Sequence, residues 1–350
     1  MKTPRLIEDI RSQPDSLSDV LRHQSGPGKD ALLRAAALLT SAKRVVITGI
    51  GASMFASVPL EYQLSSMGIP AFLIEAGELL HYRHEVCSDA VTMVVSRSGE
   101  SVEIAKLARL LKGRTPIIGL SNNPRSLLAE AADVSIQIGS RPDEMIAIQS
   151  YTGTLLTLHL LSAAANHSLG DQSEQIGPLV QELSKTIDRE LREIDSWDSL
   201  LRRKAPFYVL GRGPSYASVL EGALLFHETA KASAIGMHAA SFRHGPVEMV
   251  DSEFCGIMLA PAGRTRELNL GLAKDLVRFG GRVRVIGPEG PGVDGLDLRP
   301  IPDVPENLAP LFEAIPLQCA ALRLAQLRGL EIGAFRYTPQ VTRDELNFVH

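Results

Sequence analysis

Val91-Thr92-Met93-Val94-Val95-Ser96-Arg97-Ser98-Gly99-Glu100-Ser101, followed by the helical pattern of 102–111, is the stretch that decides the fold. Its first five residues are apolar or β-branched and read as a strand buried on both faces; the apolar spacing after Ser101 reads as a helix. A strand that breaks into hydroxyls and a glycine and then opens a helix converges backbone N–H groups, serine donors and a positive helix end on one point. That point suits a phosphate. One serine can cap one helix, and three hydroxyls in six residues exceed that need, which favours a bound oxyanion over a plain polar loop.

The alternation continues outward. Short β-rich runs at 45–48, 71–74, 91–95, 117–120 and 134–138 alternate with helical stretches, which predicts βαβ units around a parallel sheet. Runs at 207–210, 256–259 and 283–286, with helices near 214–232, 266–278 and 308–328, predict a second α/β domain. Thr48-Gly49-Ile50-Gly51-Ala52-Ser53 and Leu210-Gly211-Arg212-Gly213-Pro214-Ser215 follow the first strand of each half as Gly-x-Gly-x-Ser turns, so duplication is the economical reading. Later in each half, Val95-Ser96-Arg97-Ser98-Gly99 corresponds to Leu259-Ala260-Pro261-Ala262-Gly263, which keeps the glycine and loses the serines. One phosphate site is therefore expected, in the first half. The expected domains are a helical lead-in at 1–42, a first domain at 43–170, a linker helix at 171–203, a second domain at 204–335 and a tail at 336–350.

The bulk numbers agree with a globular chain holding a local anion site. At 350 residues and 45% hydrophobic content it can bury two cores, and a net charge of -4 offers no basic stripe for a nucleic-acid backbone. Cys87, Cys255 and Cys319 are far apart and in no metal-ligand spacing, which fits a reducing compartment. The N-terminal residues lack an apolar signal core and no stretch is apolar enough to span a bilayer, so a cytoplasmic location away from membranes is expected.

Gly-x-Gly turns alone are weak evidence for a dinucleotide, and here Met54 and Tyr216 stand where the fingerprint needs a third small residue. No cofactor is expected, and no metal, because no paired His/Asp/Glu spacing repeats within a helical turn. Ser53 and Ser215 sit where helix caps would, and capping alone could explain them. Glu221 and Glu228 are seven residues apart on one helix and share a face, and His244 precedes Gly245-Pro246 at the entry of a short helix. A solvated helix edge and a structural histidine are the plain alternatives; together the two residue types suffice to move a proton between neighbouring sugar carbons and open a ring.

With these residues assembled, the chain resembles the sugar isomerase (SIS) domain family, specifically tandem-SIS proteins related to the isomerase half of glucosamine-6-phosphate synthase. The carrying pieces are the Ser-x-Ser-Gly-Glu-x turn at 96–101, the Gly-Arg-Gly turn with Leu-Glu-Gly-Ala-Leu at 211–224, and Arg243-His244-Gly245-Pro246. The resemblance implies two α/β SIS domains, each a mostly parallel sheet flanked by helices in a three-layer, flavodoxin-like sandwich. It implies a sugar-phosphate site at Gly51, Ser53, Ser96, Arg97, Ser98 and Ser101, with Arg97 where relatives often carry glutamine, and a wall that includes Gln149 and Ser150. Glu228 is similar in position to the acid/base acting between C1 and C2. His244 resembles the ring-opening histidine that the family supplies from a neighbouring subunit, which implies a homodimer.

The implied activity is aldose–ketose isomerisation of a hexose or amino-sugar phosphate, with or without deamination. A deglycase or amino-sugar-phosphate deaminase stays open, as does a non-catalytic sugar-phosphate-binding regulator. Three departures matter. No cysteine nucleophile follows Met1, so no glutaminase domain is expected. Pro339 and Gln340 stand near the place of a lysine that contacts the open-chain carbonyl, with Arg343 the closest following cation, and neither an amide nor a guanidinium forms an imine. The segment 233–238 also lacks the relatives' His-Ala-Glu-Ala, which points to a different substrate.

Overall fold

β1 (Val45–Gly49), β2 (Ala71–Glu75), β3 (Val91–Val95), β4 (Ile117–Ser121) and β5 (Val134–Gln137) form one sheet in the order β2-β1-β3-β4-β5, every pairing parallel. The computed structural model describes residues 4–202, 206–337 and 339–346; Arg203, at the end of the expected linker, and Thr338 in the tail lie outside the described residues. Each residue of β1, β3 and β4 is buried. This follows from an all-parallel sheet, whose crossover helices cover both faces and leave no side for polar alternation. One face packs Val46, Val94 and Ile117 against Ile104 and Leu107 of the helix α2 (Val102–Leu111), where the apolar spacing presents a single stripe.

The helix α1 (Lys29–Ser41) precedes β1, and α3 (Gln149–Ala165) follows β5. All seventeen residues of α3 are buried, and it packs on α1 and on the helices Gln13–Ser25 and Val58–Ser66. Its threonines survive there because their hydroxyls return to carbonyls one turn back, Thr154 to Ser150 at 2.7 Å and Thr157 to Gly153 at 2.8 Å. Gly153 lets the helix approach the chain closely, since a Cβ there would lie 2.7 Å from that of Ser140.

The chain divides into two units, Ser12–Val180 with Phe335–His350, and Met1–Arg11 with Gln181–Ala334. After α3 in the chain comes α4 (Leu169–Arg192), which gives way to a short 3₁₀ turn at Ile194–Trp197 and a four-residue helix Asp198–Leu201, rather than continuing through the expected linker. Trp197 lies in this turn with its ring fully buried and the Arg284 guanidinium 4.7 Å from its centroid.

The second sheet contains β6 (Phe207–Gly211), β7 (Ala234–His238), β8 (Cys255–Leu259), β9 (Arg282–Gly287) and β10 (Asp297–Pro300), all parallel, in the order β10-β9-β8-β6-β7. Read from its other edge this is the order of the first sheet. Both show the α/β fold expected for two SIS domains; the structure adds the edge strands β7 and β10. The helices α5 (Tyr216–Ala230), α6 (Arg266–Arg278) and α7 (Ala309–Leu327) flank it, and one face is an aromatic core in which Tyr208, Phe242 and Phe254 lie 5.3 to 5.6 Å apart.

Candidate functional site

In an open parallel sheet the strand order reverses at a switch point, and the crevice outside the carboxyl ends of the strands there collects ligands. In the first sheet that point lies between β1 and β3. Gly49 ends β1 so close to its neighbour that a Cβ would stand 2.8 Å from the Val95 carbonyl oxygen. Gly51 and Gly99 both hold positive φ, +53° and +66°, which only glycine adopts without strain.

The Ser53 hydroxyl accepts from the Arg97 N–H at 3.3 Å, tying the two turns together. Ser96 Oγ accepts from the Gly99 N–H and Ser98 Oγ from the Glu100 N–H, each at 3.1 Å. Ser101 occupies the cap position of α2 but makes no side-chain cap bond. None of the Ser96, Ser98 and Ser101 hydroxyls donates to a protein acceptor among the described residues, so the turn retains three O–H donors after its own backbone needs are met. The first N–H of α2, from Val102, goes instead to the Thr342 carbonyl at 3.1 Å.

Arg97 binds protein. Its guanidinium donates to the Met145 carbonyl at 3.3 Å and the Gln340 carbonyl at 3.4 Å, and stands 3.9 Å from Asp143. The Asp143 carboxylate is enclosed and accepts from the Gln149 N–H at 2.7 Å, the Ser150 N–H at 3.1 Å and the Ser150 hydroxyl. Burial pushes this carboxyl above the ordinary range, against the opposing pull of those bonds and of Arg97. Asp143 thus supplies the negative charge at the start of α3, which has Ile148, a poor cap, at its entrance.

Gln149 and Ser150 are nearly fully buried; the Gln149 amide donates to the Pro142 carbonyl at 3.2 Å, so both side chains shape this wall through protein contacts. The Gln340 amide donates to the Glu144 carbonyl at 2.6 Å and the Asp143 carbonyl at 3.3 Å. Glu345 pairs with Lys106 at 2.9 Å and His81 at 3.5 Å, and Lys106 foremost holds its carboxyl below the usual range.

The sequence did not single out Asp143 or the Thr342 carbonyl. A signal for the first existed: an apolar helix entered through isoleucine needs its cap from an acid elsewhere, and Asp143 stands six residues before Gln149.

Glu228 and His244 belong to the other unit. Glu221 is buried on α5, and Glu228, two turns later on the same face, is half-buried. The helix closes at Lys231 with a left-handed φ of +50°; its ammonium donates to the Glu228 and Ala334 carbonyls. His244 is exposed in the turn between the helix Ala239–Phe242 and the 3₁₀ segment Pro246–Met249, its N–H donating to the Ser241 carbonyl at 3.0 Å.

The second Gly-x-Gly-x-Ser turn is built differently from the first. Ser215 is buried and donates to Glu313 at 2.7 Å; complete burial pushes the Glu313 carboxyl up to about 7 against that bond. Tyr216 stacks on His238 with centroids 3.4 Å apart, filling space that a dinucleotide fold leaves to a small residue. Among the described residues no group of three or more His, Cys, Asp or Glu side chains is placed to hold a metal, and no helix is long and apolar enough to cross a membrane.

Comparison with known proteins gives a consistent picture. A model of the SIS domain matches residues 38–166 and again 200–328. Glutamine–fructose-6-phosphate aminotransferase (isomerizing) of Pyrococcus horikoshii is 29% identical over 333 residues, 93% of this chain, and the chain spans 55% of that protein's length. The enzyme of the same name from Gloeobacter violaceus is 28% identical, with 93% and 56% covered. Among solved structures, the C-terminal domain of glucosamine-fructose-6-phosphate aminotransferase from Francisella tularensis superposes with a TM-score of 0.82 at 21% identity, covering 95% of this chain and 98% of that one. Glucosamine-6-phosphate deaminase from Thermotoga maritima gives 0.76 at 21% identity, with 97% and 99% covered. At these identities the structural likeness speaks for the fold.

Proposed function

This chain belongs to the SIS domain family, and from that premise we propose that it binds a phosphorylated hexose or hexosamine at the serine turn and interconverts its aldose and ketose forms. The observation that carries the reading is the set of hydroxyls of Ser96, Ser98 and Ser101 at the switch point of the first sheet, none of them spent on a protein acceptor among the described residues. A phosphate monoester supplies oxygen acceptors for such donors. Gly51 and Ser53 complete the cradle, Arg97 adds positive charge beside it, and Gln149 and Ser150 set the wall through Asp143.

The proton chemistry is assigned to Glu228 and His244. Glu228, as a carboxylate, removes the proton from the carbon next to the carbonyl; an enediol forms as that carbonyl oxygen gains a proton. Glu228 then returns its proton to the former carbonyl carbon, while the hydroxyl on the carbon that lost its proton releases its own O–H proton and becomes the new carbonyl. His244 protonates the ring oxygen to open the sugar, and in this reading it comes from the second subunit of a cytoplasmic homodimer. The names of the curated relatives, which join fructose 6-phosphate to isomerisation, support the substrate class. Gln340, near the place of the family lysine, spends its amide on two carbonyls, which favours an enediol route over one through a protein imine.

The test is mass spectrometry of hexose and hexosamine 6-phosphates incubated with the protein, with and without ammonia. Glu228→Gln should lose turnover by about 100-fold or more while keeping affinity, and undiminished turnover would refute the assignment. Release of ammonia from glucosamine 6-phosphate would make the protein a deaminase; tight binding with no turnover of any sugar would make it a sensor.

A further inference from the structure

The second sheet has a crevice of its own at the carboxyl ends of β6 and β8, where the strand order reverses as it does between β1 and β3. Its first glycine turn follows that of the first sheet, and the turn after β8 differs in φ. Gly213 has φ +59° where Gly51 has +53°, and Gly263 stands in the turn after β8, also at positive φ, as Gly99 stands after β3. The polar atoms differ. After Gly99, the Glu100 N–H is accepted by Ser98 Oγ. After Gly263, Ala262 has no hydroxyl to offer, and the Arg264 N–H is directed at Glu306 Oε2, 3.5 Å away.

Glu306 does more than replace a cap. Its carboxylate lies so close to Gly263 that a Cβ there would stand 2.7 and 2.8 Å from the two oxygens, and a Cβ on Gly213 would stand 3.5 Å from one of them. One carboxylate therefore touches both glycine turns at the entrance of α6, whose cap residue Thr265 makes no side-chain cap bond. An arginine is fixed at the same end of the sheet, and Glu306 also acts on the buried acid Glu313, adding to the burial that raises its carboxyl. Asn269 accepts from Arg212 Nε at 3.0 Å and donates to the Leu259 carbonyl at 2.9 Å, which holds the Arg212 guanidinium over the end of β8. Burial, and then the charge of Arg243, pushes Arg212 below its ordinary value.

We propose that the crevice between β6 and β8 is an anion site closed from within by the Glu306 carboxylate, and that removing this carboxylate opens it to phosphate. A tethered carboxylate acts at a high effective concentration and excludes a free ion of similar chemistry. The chain thus keeps one open anion site from two crevices at equivalent positions in the strand order. The choice of phosphate as ligand rests on the function proposed for the first crevice; the closure by Glu306 does not.

The experiment titrates inorganic phosphate into ¹⁵N-labelled wild type and Glu306→Ala, following the Ser98 and Gly99 amides for the first crevice and the Arg264 amide for the second. Wild type should respond at 98 and 99 alone, and Glu306→Ala at all three. Adding Ala262→Ser, which restores the turn hydroxyl, should tighten the new site by about tenfold, the equivalent of one favourable hydrogen bond. An Arg264 amide that responds in wild type, or stays silent in Glu306→Ala, overturns the proposal. Silence at 98 and 99 with a response at 264 in the variant refutes the reading of the first crevice and leaves this one standing. Glu306→Gln, which keeps the shape and removes the charge, serves if the alanine variant does not fold: phosphate should move its Arg264 amide, and a silent one overturns the proposal.

Discussion

Replacing Glu313 by glutamine should abolish a pH dependence built into the second unit. The side chain is fully buried on α7, accepts the Ser215 hydroxyl at 2.7 Å, and has its carboxyl pushed from 4.5 up to about 7 by burial. Between those values the folded unit holds a proton that the unfolded chain has released, so stability falls as pH rises through this window. A gap of about 2.5 at about 1.4 kcal/mol per pH unit amounts to about 3 kcal/mol, present below pH 4.5 and gone above pH 7. Glutamine mimics the protonated acid in shape and can still accept from Ser215. Trp197, the single tryptophan, is buried in the same unit, so its emission reports unfolding there without a two-state assumption for the whole chain. Urea unfolding curves followed by this emission at pH 5, 6, 7 and 8 should show wild type and Glu313→Gln close together at pH 5 and apart by about 3 kcal/mol at pH 8, with the variant the more stable. Curves that stay parallel across the range would mean that Glu313 remains ionised in the folded protein, and would refute the reasoning.

Two further outcomes are expected from the first unit. Ser98→Ala should weaken calorimetric binding of fructose 6-phosphate by about tenfold, the effect of one hydrogen bond to a charged acceptor, and unchanged affinity would remove Ser98 from the cradle. Asp143→Asn should strip the charge from the start of α3 and set an amide donor against the Ser150 N–H, costing about 1–3 kcal/mol locally. Hydrogen exchange at the Gln149 and Ser150 amides should then quicken, and unaltered protection would show that Asp143 does not hold this helix end.

The first sheet was legible because each central strand is a short run of mostly apolar and β-branched residues. β7 and β10 were not, and their positions explain it. β7 is an edge strand whose residues are mostly half-exposed and which contains Gly236, forced there because a Cβ would stand 2.8 Å from the Val219 carbonyl. In β10 the buried residue is Arg299, neutralised by Glu190 at 2.8 Å, so a charge occupies the position where an apolar residue would have announced a strand. In the candidate site, the serines were legible because their chemistry lies within six consecutive residues. Thr342 and Glu306 were hidden by the opposite circumstance, since each acts on a group far along the chain that only the folded backbone brings near, and Asp143, though six residues before Gln149, also faces Arg97 across the fold.

The wholly buried α3 has a consequence for how the first unit is made. A helix buried on every side gains little by forming alone in water, and the helices it packs against, together with all five strands, come earlier in the chain. During synthesis the ribosome therefore releases the sheet before its central spindle. Until residue 165 has emerged, the helices that will enclose α3 have nothing to enclose, and their apolar faces stand open to solvent and to other nascent chains. Folding of this unit is thereby tied to the arrival of one late segment, and that interval is when the polypeptide most needs protection from aggregation.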